Sequence, residues 1–184
     1  MAQRKPAQER LPIVGVLGSG TEPHRERAAP IGEWLATQDV HLLTGGGFGV
    51  MEEVCRAFHA VPHRKGMVIG VLPAGEEVGS SEPRDGYPNP WVEIPIHTHL
   101  PLSGGSGTEV LSRNHINILS SRVLIALPGS HGTSSEVELA LRYGRPLIAY
   151  LDRRDEIENL SPDALVEPDL AKVKEYVRSH LPDG

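Results

Sequence analysis

Short apolar runs that each stop at a glycine-rich turn recur along this chain, and they limit the folds open to it. A continuous apolar run bounded by glycine is typical of a strand buried on both faces, as in a parallel sheet. Segments of helical length stand between the runs. Alternating strands and helices form βαβ units with right-handed crossovers. The pattern therefore predicts a three-layer α/β domain of the Rossmann kind with a mostly parallel sheet.

The predicted elements follow one another along the whole chain. The strands are expected at Ile13 to Leu17, Val40 to Leu43, Met67 to Leu72, Trp91 to Ile96, Val123 to Leu127 and Pro146 to Leu151. The helices are expected at about Arg25 to Thr37, Val50 to Ala60, Glu109 to Ser121, Ser134 to Tyr143 and residues 168 to 181. Residues 73–90 and 101–108 lack a clear period, so we predict loops there.

Length and charge restrict the class of protein. The 184 residues fit one domain, and we expect a disordered lead-in over residues 1–11 followed by one nucleotide-binding domain over 12–184. A net charge of −6 argues against a nucleic-acid partner, because such proteins usually carry a basic stripe. No apolar run reaches the ~20 residues that span a bilayer, and the polar N-terminus is unlike a signal peptide. We therefore expect a cytoplasmic protein without membrane contact.

The segment from Leu127 to Glu136 is the strongest candidate for a binding site. It follows a predicted strand, and ligands of parallel sheets bind at the carboxyl ends of strands. Gly129 and Gly132 are expected to adopt positive φ and to let the backbone approach a ligand closely. The start of the next helix favours an anion such as phosphate. The alternative is an ordinary strand-to-helix turn with a helix cap.

Two further glycine turns follow predicted strands. The stronger runs from Thr44 to Glu53 and contains Gly45, Gly46 and Gly47. Such a turn suits close packing around a pyrophosphate or sugar, although a glycine-rich turn alone is weak evidence. The weaker turn contains Gly18 and Ser19. Either turn could instead be a loop that only needs positive φ.

The block from Arg113 through Glu136 resembles the LOG family, whose members were once labelled lysine decarboxylases. Arg113 stands fifteen residues before Pro128, the spacing that this family shows between its arginine and the proline of P-G-G-x-G-T-x-x-E. The turn at 45–53 resembles the family's second motif, G-G-G-x-x-G-L-M-G. The resemblance covers roughly residues 13 to 150. LOG enzymes are phosphoribohydrolases that split nucleoside 5′-monophosphates into free base and ribose 5-phosphate.

The resemblance implies specific roles for the residues of these motifs. Arg113 and Glu136 would form the catalytic pair, with Arg113 gripping phosphate or ribose and Glu136 stabilising positive charge on the sugar. Together with the glycine turn after the first strand, these motifs give the expected ligand-binding residues Gly18, Ser19, Gly45, Gly46, Gly47, Met51, Gly129, Ser130, His131, Gly132 and Thr133. His131 either donates to a phosphate oxygen or merely occupies the variable position of the motif. A homodimer or homotetramer is also implied.

Three departures from the LOG pattern resemble a sister branch that includes the molybdenum cofactor carrier proteins. Ser130 replaces the second glycine of P-G-G, Asn114 follows the arginine where LOG enzymes usually have lysine, and the shorter glycine turn ends in Val50-Met51-Glu52. The main hypothesis is a nucleoside monophosphate phosphoribohydrolase. The alternative is a carrier of molybdenum cofactor or another pterin or nucleotide, and a third is an interaction protein with a vestigial site.

Other reactive residue types do not suggest a cofactor or metal. A pyridoxal enzyme needs a lysine in a desolvated pocket, and the four lysines stand in the lead-in, in a charged turn and on the polar side of the last helix (Lys5, Lys65, Lys172 and Lys174). His97 and His99 lack an accompanying Cys or carboxylate cluster. Cys55 fits a buried thiol. We predict no bound cofactor, no metal and no lysine decarboxylase activity.

Overall fold

Seven parallel strands form one sheet in the computed structural model, which describes residues 10–75 and 82–182. The strands are β1 (Ile13–Leu17), β2 (His41–Thr44), β3 (Val68–Leu72), β4 (Ile94–His97), β5 (Val123–Ala126), β6 (Leu147–Tyr150) and β7 (Val166–Glu167). The helices are α1 (Arg25–Leu35), α2 (Val50–Ala60), α3 (Asn114–Ser120), α4 (His131–Arg142) and α5 (Leu170–Ser179). Single 3-10 turns occur at Gly104–Ser106 and Arg154–Glu156. The predicted α/β fold with a parallel sheet is confirmed.

Two separate apolar layers show why the central strands contain little but apolar residues. Val123 and Ile125 of β5 pack in a cluster with α1, α2 and α5, whereas Leu124 and Ala126 pack with α3 and α4 on the opposite face. Successive side chains of a strand point to opposite faces, so a sheet covered on both sides needs apolar residues at every position. The three layers are therefore helices, sheet and helices.

The strand order places a ligand crevice at the middle of the sheet. The order is β4-β3-β2-β1-β5-β6-β7, so the chain proceeds outward from β1 in one direction and then continues from β5 in the other. β1 pairs with β5 from Val14 with Val123 to Leu17 with Ala126. Such a reversal is the topological switch point at which open α/β sheets bind ligands.

Several predicted boundaries are wrong, and local hydrogen bonds explain the largest difference. The helix expected from Glu109 begins only at Asn114. Ser112 donates its backbone N–H to the carbonyl of Glu109 at 2.9 Å, and its hydroxyl accepts from the N–H of Asn114 at 3.1 Å. A serine hydroxyl that bonds nearby backbone in this way competes with helix formation.

The smaller differences lie at the ends of elements and at one edge of the sheet. α4 begins at His131, three residues earlier than expected, and β4 spans Ile94–His97 rather than 91–96. The two-residue strand β7 was not predicted, because it is too short for a periodic pattern. The predicted lead-in lies mostly outside the described residues, as does part of the predicted loop over 73–90. Among the described helices, none is long and apolar enough to cross a membrane.

Candidate functional site

A pocket of ≈ 440 Å³ lies at the carboxyl ends of β1 and β5, where the strand order reverses. Its size is within the range of roughly 300–1,000 Å³ that is usual for small-molecule sites. Its lining comprises Gly18, Gly20, Thr21, Met51, Tyr87, Ser103, Gly104, Gly105, Arg113, Asn114, Ser130, His131, Gly132, Thr133 and Glu136. The pocket thus brings together Arg113, Glu136 and most of the predicted residues of the turn after β5.

Arg113 is a buried cation that lines this pocket. It occupies the N-cap position of α3 and is 4% exposed. Its Nε and Nη1 have no hydrogen-bond partner among the described residues. An isolated buried charge is costly, and guanidinium donors match phosphate and carboxylate oxygens in pairs. Unpartnered guanidinium donors of this kind are suited to an anion, and anion binding by Arg113 stays a prediction.

Glu136 faces Arg113 from the second turn of α4. Its Oε1 lies 3.9 Å from Nη1 of Arg113, and the same oxygen accepts a long hydrogen bond of 3.4 Å from Nδ2 of Asn117. Burial raises the pKa of the Glu136 carboxyl, and the nearby Arg113 and Asn117 only partly oppose this effect. A carboxyl of this kind keeps its proton to a higher pH than an exposed carboxyl does.

The first turn of α4 supplies backbone donors beside this pair. Ser130 is the N-cap and makes no side-chain capping bond. The N–H groups of His131 and Gly132 have no acceptor within the described part of the chain. These groups and the helix dipole favour an anion at this position. Thr133, which is 2% exposed, places its side chain beneath the turn.

His131 lies at the rim of the pocket. Its side chain is 59% exposed, and its Nε2 lies 3.1 Å from Oε1 of Glu158. A histidine in this position can turn toward a bound anion or remain with its carboxylate partner. The geometry is compatible with both roles that the sequence left open.

The predicted positive φ of Gly129 and Gly132 is wrong, and steric room explains these glycines instead. Neither residue has positive φ. A β-carbon at Gly129 would lie 2.8 Å from Cβ of Thr133 and 3.0 Å from the backbone nitrogen of Ser19. A β-carbon at Gly132 would lie 3.2 Å from Cα of Gly104. Glycine is needed here because the turns of β1, β5 and the 101–108 segment approach one another closely.

The glycines of the turn after β2 support the pocket from behind rather than line it. Gly45, Gly46 and Gly47 are buried and are not among the pocket-lining residues. The guanidinium of Arg113 rests on Gly45, where a β-carbon would come within 2.7 Å of its Cζ. Gly46 has φ +71°, and the carbonyl of Gly47 accepts from Nδ2 of Asn89 at 2.7 Å. Direct ligand binding by these three glycines stays a prediction.

The turn after β1 separates two neighbouring cavities. Gly18 lines the main pocket together with Met51 of α2. Ser19 and Gly129 instead line a second cavity of ≈ 540 Å³ on the side of β6. Thr21 and Ser130 line both cavities, so the two are adjacent. The second cavity is lined by the carboxylates of Glu22, Glu26, Asp152 and Glu156. The main pocket is therefore the better place for an anion.

Sequence reasoning missed several residues at the site. Asn117 lies one helical turn after Arg113, so i, i+4 spacing on α3 could have indicated that it shares a face with the arginine. Tyr87 and the Ser103–Gly105 segment come from loops without a period. Their approach to α4, seen in the bond of 3.1 Å from the Ser135 hydroxyl to the carbonyl of Gly104, depends on tertiary packing.

The other residue types considered from the sequence lie away from the pocket. His97 and His99 are exposed, and the described residues contain no group of three or more metal-ligating side chains. Burial raises the pKa of the Cys55 thiol to about 12. Lys65 pairs with Asp39 at the surface. Lys172 and Lys174 lie on α5, and Lys5 lies outside the described residues.

Two solved structures share this fold over nearly the full length of both chains. The molybdenum cofactor binding protein of Rippkaea orientalis is 30% identical, with a TM-score of 0.69, and the match covers 94% of this chain and 98% of the other. The molybdenum cofactor carrier protein of Chlamydomonas reinhardtii is also 30% identical, with a TM-score of 0.65 over 93% of this chain and 98% of the other.

Comparison with protein sequences and families extends over most of the chain. An uncharacterised protein of Archaeoglobus fulgidus is 29% identical over 138 residues, which are 74% of this chain and 78% of that protein. Residues 11–175 match the SLOG cluster4 family. This match includes every residue assigned above to the pocket.

Proposed function

We propose that this chain, which belongs to the SLOG cluster4 family, binds a phosphorylated pterin-type ligand such as molybdenum cofactor and carries it without altering it. The observation that carries the proposal is the buried guanidinium of Arg113, whose Nε and Nη1 lack partners among the described residues. The cofactor is cargo in this proposal and takes no part in a reaction.

The chemistry of the pocket supports an anionic ligand of moderate size. The N–H groups at the start of α4 and the guanidinium of Arg113 offer donors to phosphate oxygens. Tyr87 and Met51 line the same pocket and provide less polar surface, suited to a ring system. Two solved proteins named for molybdenum cofactor match nearly the full length of this chain at 30% identity, which supports the same class of ligand here.

A phosphoribohydrolase activity is the second candidate, and one observation favours it. Arg113 and Glu136 line the same pocket, with Nη1 and Oε1 3.9 Å apart. A carboxylate beside a bound ribose could stabilise the positive charge that develops as the glycosidic bond breaks. Catalysis would require Glu136 to be ionised when a nucleoside monophosphate is bound, although burial favours its protonated form.

A paired assay separates the two candidates. Purified protein is mixed with molybdenum cofactor under anaerobic conditions, and retention of the cofactor after gel filtration is measured. The same preparation is incubated with purine and cytokinin monophosphates, and free base is followed with time. We expect cofactor retention in the wild type, its loss in Arg113→Gln, and no base release.

The exposed Arg122→Gln variant serves as the matched control, because Arg122 bonds the carbonyl of His180 far from the pocket. It should retain cofactor like the wild type. Release of base that disappears in Glu136→Gln would favour the hydrolase. Cofactor retention that is equal in the wild type and Arg113→Gln would contradict the proposed site.

A further inference from the structure

The surroundings of the Glu136 carboxyl stabilise its charged form only weakly. Its side chain is 13% exposed, and its Oε1 is 3.9 Å from Nη1 of Arg113, beyond hydrogen-bond distance. The long bond from Asn117, at 3.4 Å, is the one hydrogen bond to this oxygen from the described residues. Neither neighbour therefore holds the carboxylate firmly in its charged form.

Asn117 can serve either state of that carboxyl. Its Oδ1 is buried and has no donor among the described residues, so the long bond from Nδ2 to Glu136 is the one side-chain bond seen to hold the amide in its present orientation. Half a turn of the amide exchanges Nδ2 and Oδ1. Asn117 then donates to a carboxylate in one orientation and accepts from a carboxylic acid in the other.

An anion at Arg113 changes the balance between these states. The guanidinium of Arg113 lines the pocket with its Nε and Nη1 unpartnered among the described residues, and Nη1 lies 3.9 Å from Oε1 of Glu136. The anion would bring further negative charge close to the buried carboxylate while reducing the favourable field of the guanidinium. Two anionic groups that share a poorly solvated site cannot both remain charged without a large cost.

We infer that Glu136 takes up one proton from solvent when an anion binds to Arg113, so that the pocket binds its ligand more tightly at lower pH. This inference rests on the proposed anion-binding function of the pocket and adds a coupling that the function itself does not require. Glu136 would act as a charge-selecting residue, because its proton removes the repulsion that a doubly charged ligand would otherwise meet.

The other titratable groups around Glu136 need separate control. Arg113, Tyr87 and His131 line the same pocket. On the elements packed against α4, His115 bonds to Tyr143 at 2.7 Å, and Tyr150 of β6 contacts the guanidinium of Arg27. His131 is the group to remove in the test, since its imidazole lines the pocket and a positive charge on it would itself attract anions.

The test uses sulfate, a divalent anion that does not titrate between pH 5.5 and 8.5. Binding is followed by amide NMR shifts of α4 at constant ionic strength, in His131→Gln and in His131→Gln combined with Glu136→Gln. In the single variant, the sulfate Kd should rise with pH by up to about tenfold per unit, the limit for one linked proton. In the double variant, Kd should be independent of pH and lower than in the single variant at pH 8.5.

Calorimetry in two buffers of different ionisation enthalpy gives an independent reading of proton uptake by the single variant. A pH dependence that is equal in the two variants, or absent from both, would overturn the inference, as would a lack of sulfate binding at every pH. Each of these results is separate from the cofactor-retention assay. Cofactor retention without proton uptake would support the proposed function and overturn this inference. Proton uptake without cofactor retention would support the inference and contradict the proposed function.

Discussion

The guanidinium of Arg113 lies directly on the backbone of Gly45. A β-carbon placed on Gly45 would have three atoms of that guanidinium as its nearest neighbours, with Cζ at 2.7 Å. The glycine-rich turn after β2 therefore acts on the pocket through the arginine. The backbone of this turn determines how far the guanidinium of Arg113 lies from the mouth of the pocket.

Gly45→Ala should weaken ligand binding without unfolding the protein. The added methyl group forces the guanidinium of Arg113 away from its present position, and misplaced donors lose most of a charge-assisted bond. We expect a loss of roughly tenfold or more in cofactor affinity, measured by retention or calorimetry, since one such bond contributes about 1.5–3 kcal/mol.

Gly105→Ala is the matched control for the alanine at position 45. Gly105 lines the same pocket, but a β-carbon there meets no atom within 4 Å. It should change affinity much less than Gly45→Ala does. Equal effects of the two substitutions would contradict the support that Gly45 gives to Arg113.

Arg113→Met combined with Glu136→Gln should abolish anion binding and leave the protein at least as stable as the wild type. The side chains of Arg113 and Glu136 are only 5% and 13% exposed, and Arg113 has nitrogen atoms without partners in the described part of the chain. Replacing a buried ion pair with neutral groups is often neutral or stabilising by about 1–4 kcal/mol. The Tm of the double variant tests this, and a Tm well below that of the wild type would show that the pair stabilises the fold.

Gly132→Val should narrow the pocket while the fold remains. Gly132 lacks positive φ, so valine meets no backbone strain, but its β-carbon would approach Cα of Gly104 at 3.2 Å. The larger branches of valine must enter the pocket or displace the Gly104 segment. We expect loss of cofactor retention in Gly132→Val and a smaller loss in Gly132→Ala. Normal retention by the valine variant would remove this turn from the binding site.

Glu136→Gln should stabilise the protein at high pH more than at low pH. The pKa of the folded-state carboxyl is raised above its ordinary 4.5 because of burial. The native protein then holds this proton more tightly than the unfolded chain, so the wild type loses stability as pH rises through the interval between the two pKa values. Glutamine removes that loss. Urea unfolding at pH 4.5 and pH 8 measures the difference.

Glu138→Gln is the control for the unfolding comparison, because Glu138 lies on the same helix and its side chain is 59% exposed. Its effect should be small and should vary little with pH. A pH dependence of stability that is the same for Glu136→Gln and the wild type would contradict the raised pKa of the Glu136 carboxyl.

Cys55 should resist thiol reagents in the native protein. The thiol is fully buried, and burial raises its pKa to about 12, so almost no thiolate is present at pH 8. Labelling with a chromogenic disulfide reagent should be slow in native protein and fast in denaturant. Rapid labelling without denaturant would show that α2 opens easily.

The fold could be predicted because the pattern of the central strands fits only the middle of a sheet that is covered by helices on both faces. The residues of β1 and β5 are apolar at every position, which suits only a strand covered on both faces. The bounds of β4 were predicted less well, because all four of its residues are exposed and its apolar pattern is weak. Its position follows from pairing with β3, a contact that no local pattern reveals.

The site was predicted in part, and the missing part is tertiary. The resemblance to the LOG motifs pointed to Arg113 and Glu136, and the structure places both in one pocket. Asn117 was missed because a buried asparagine on a short helix has no distinctive pattern. The turn after β2 was recognised, but its relation to Arg113 needs the packing of β2 beside β1 and could not be read from the glycines alone.

The central position of β1 has a consequence for the order in which the chain folds. β1 ends at Leu17, whereas its partner β5 begins only at Val123. During synthesis the whole segment between Leu17 and Val123 emerges before the edge of β1 that pairs with β5 can form its hydrogen bonds. Contacts so distant in sequence slow folding, and an uncovered apolar strand edge invites pairing with other chains. The nascent chain is therefore most open to mispairing of β1 in the period before β5 appears.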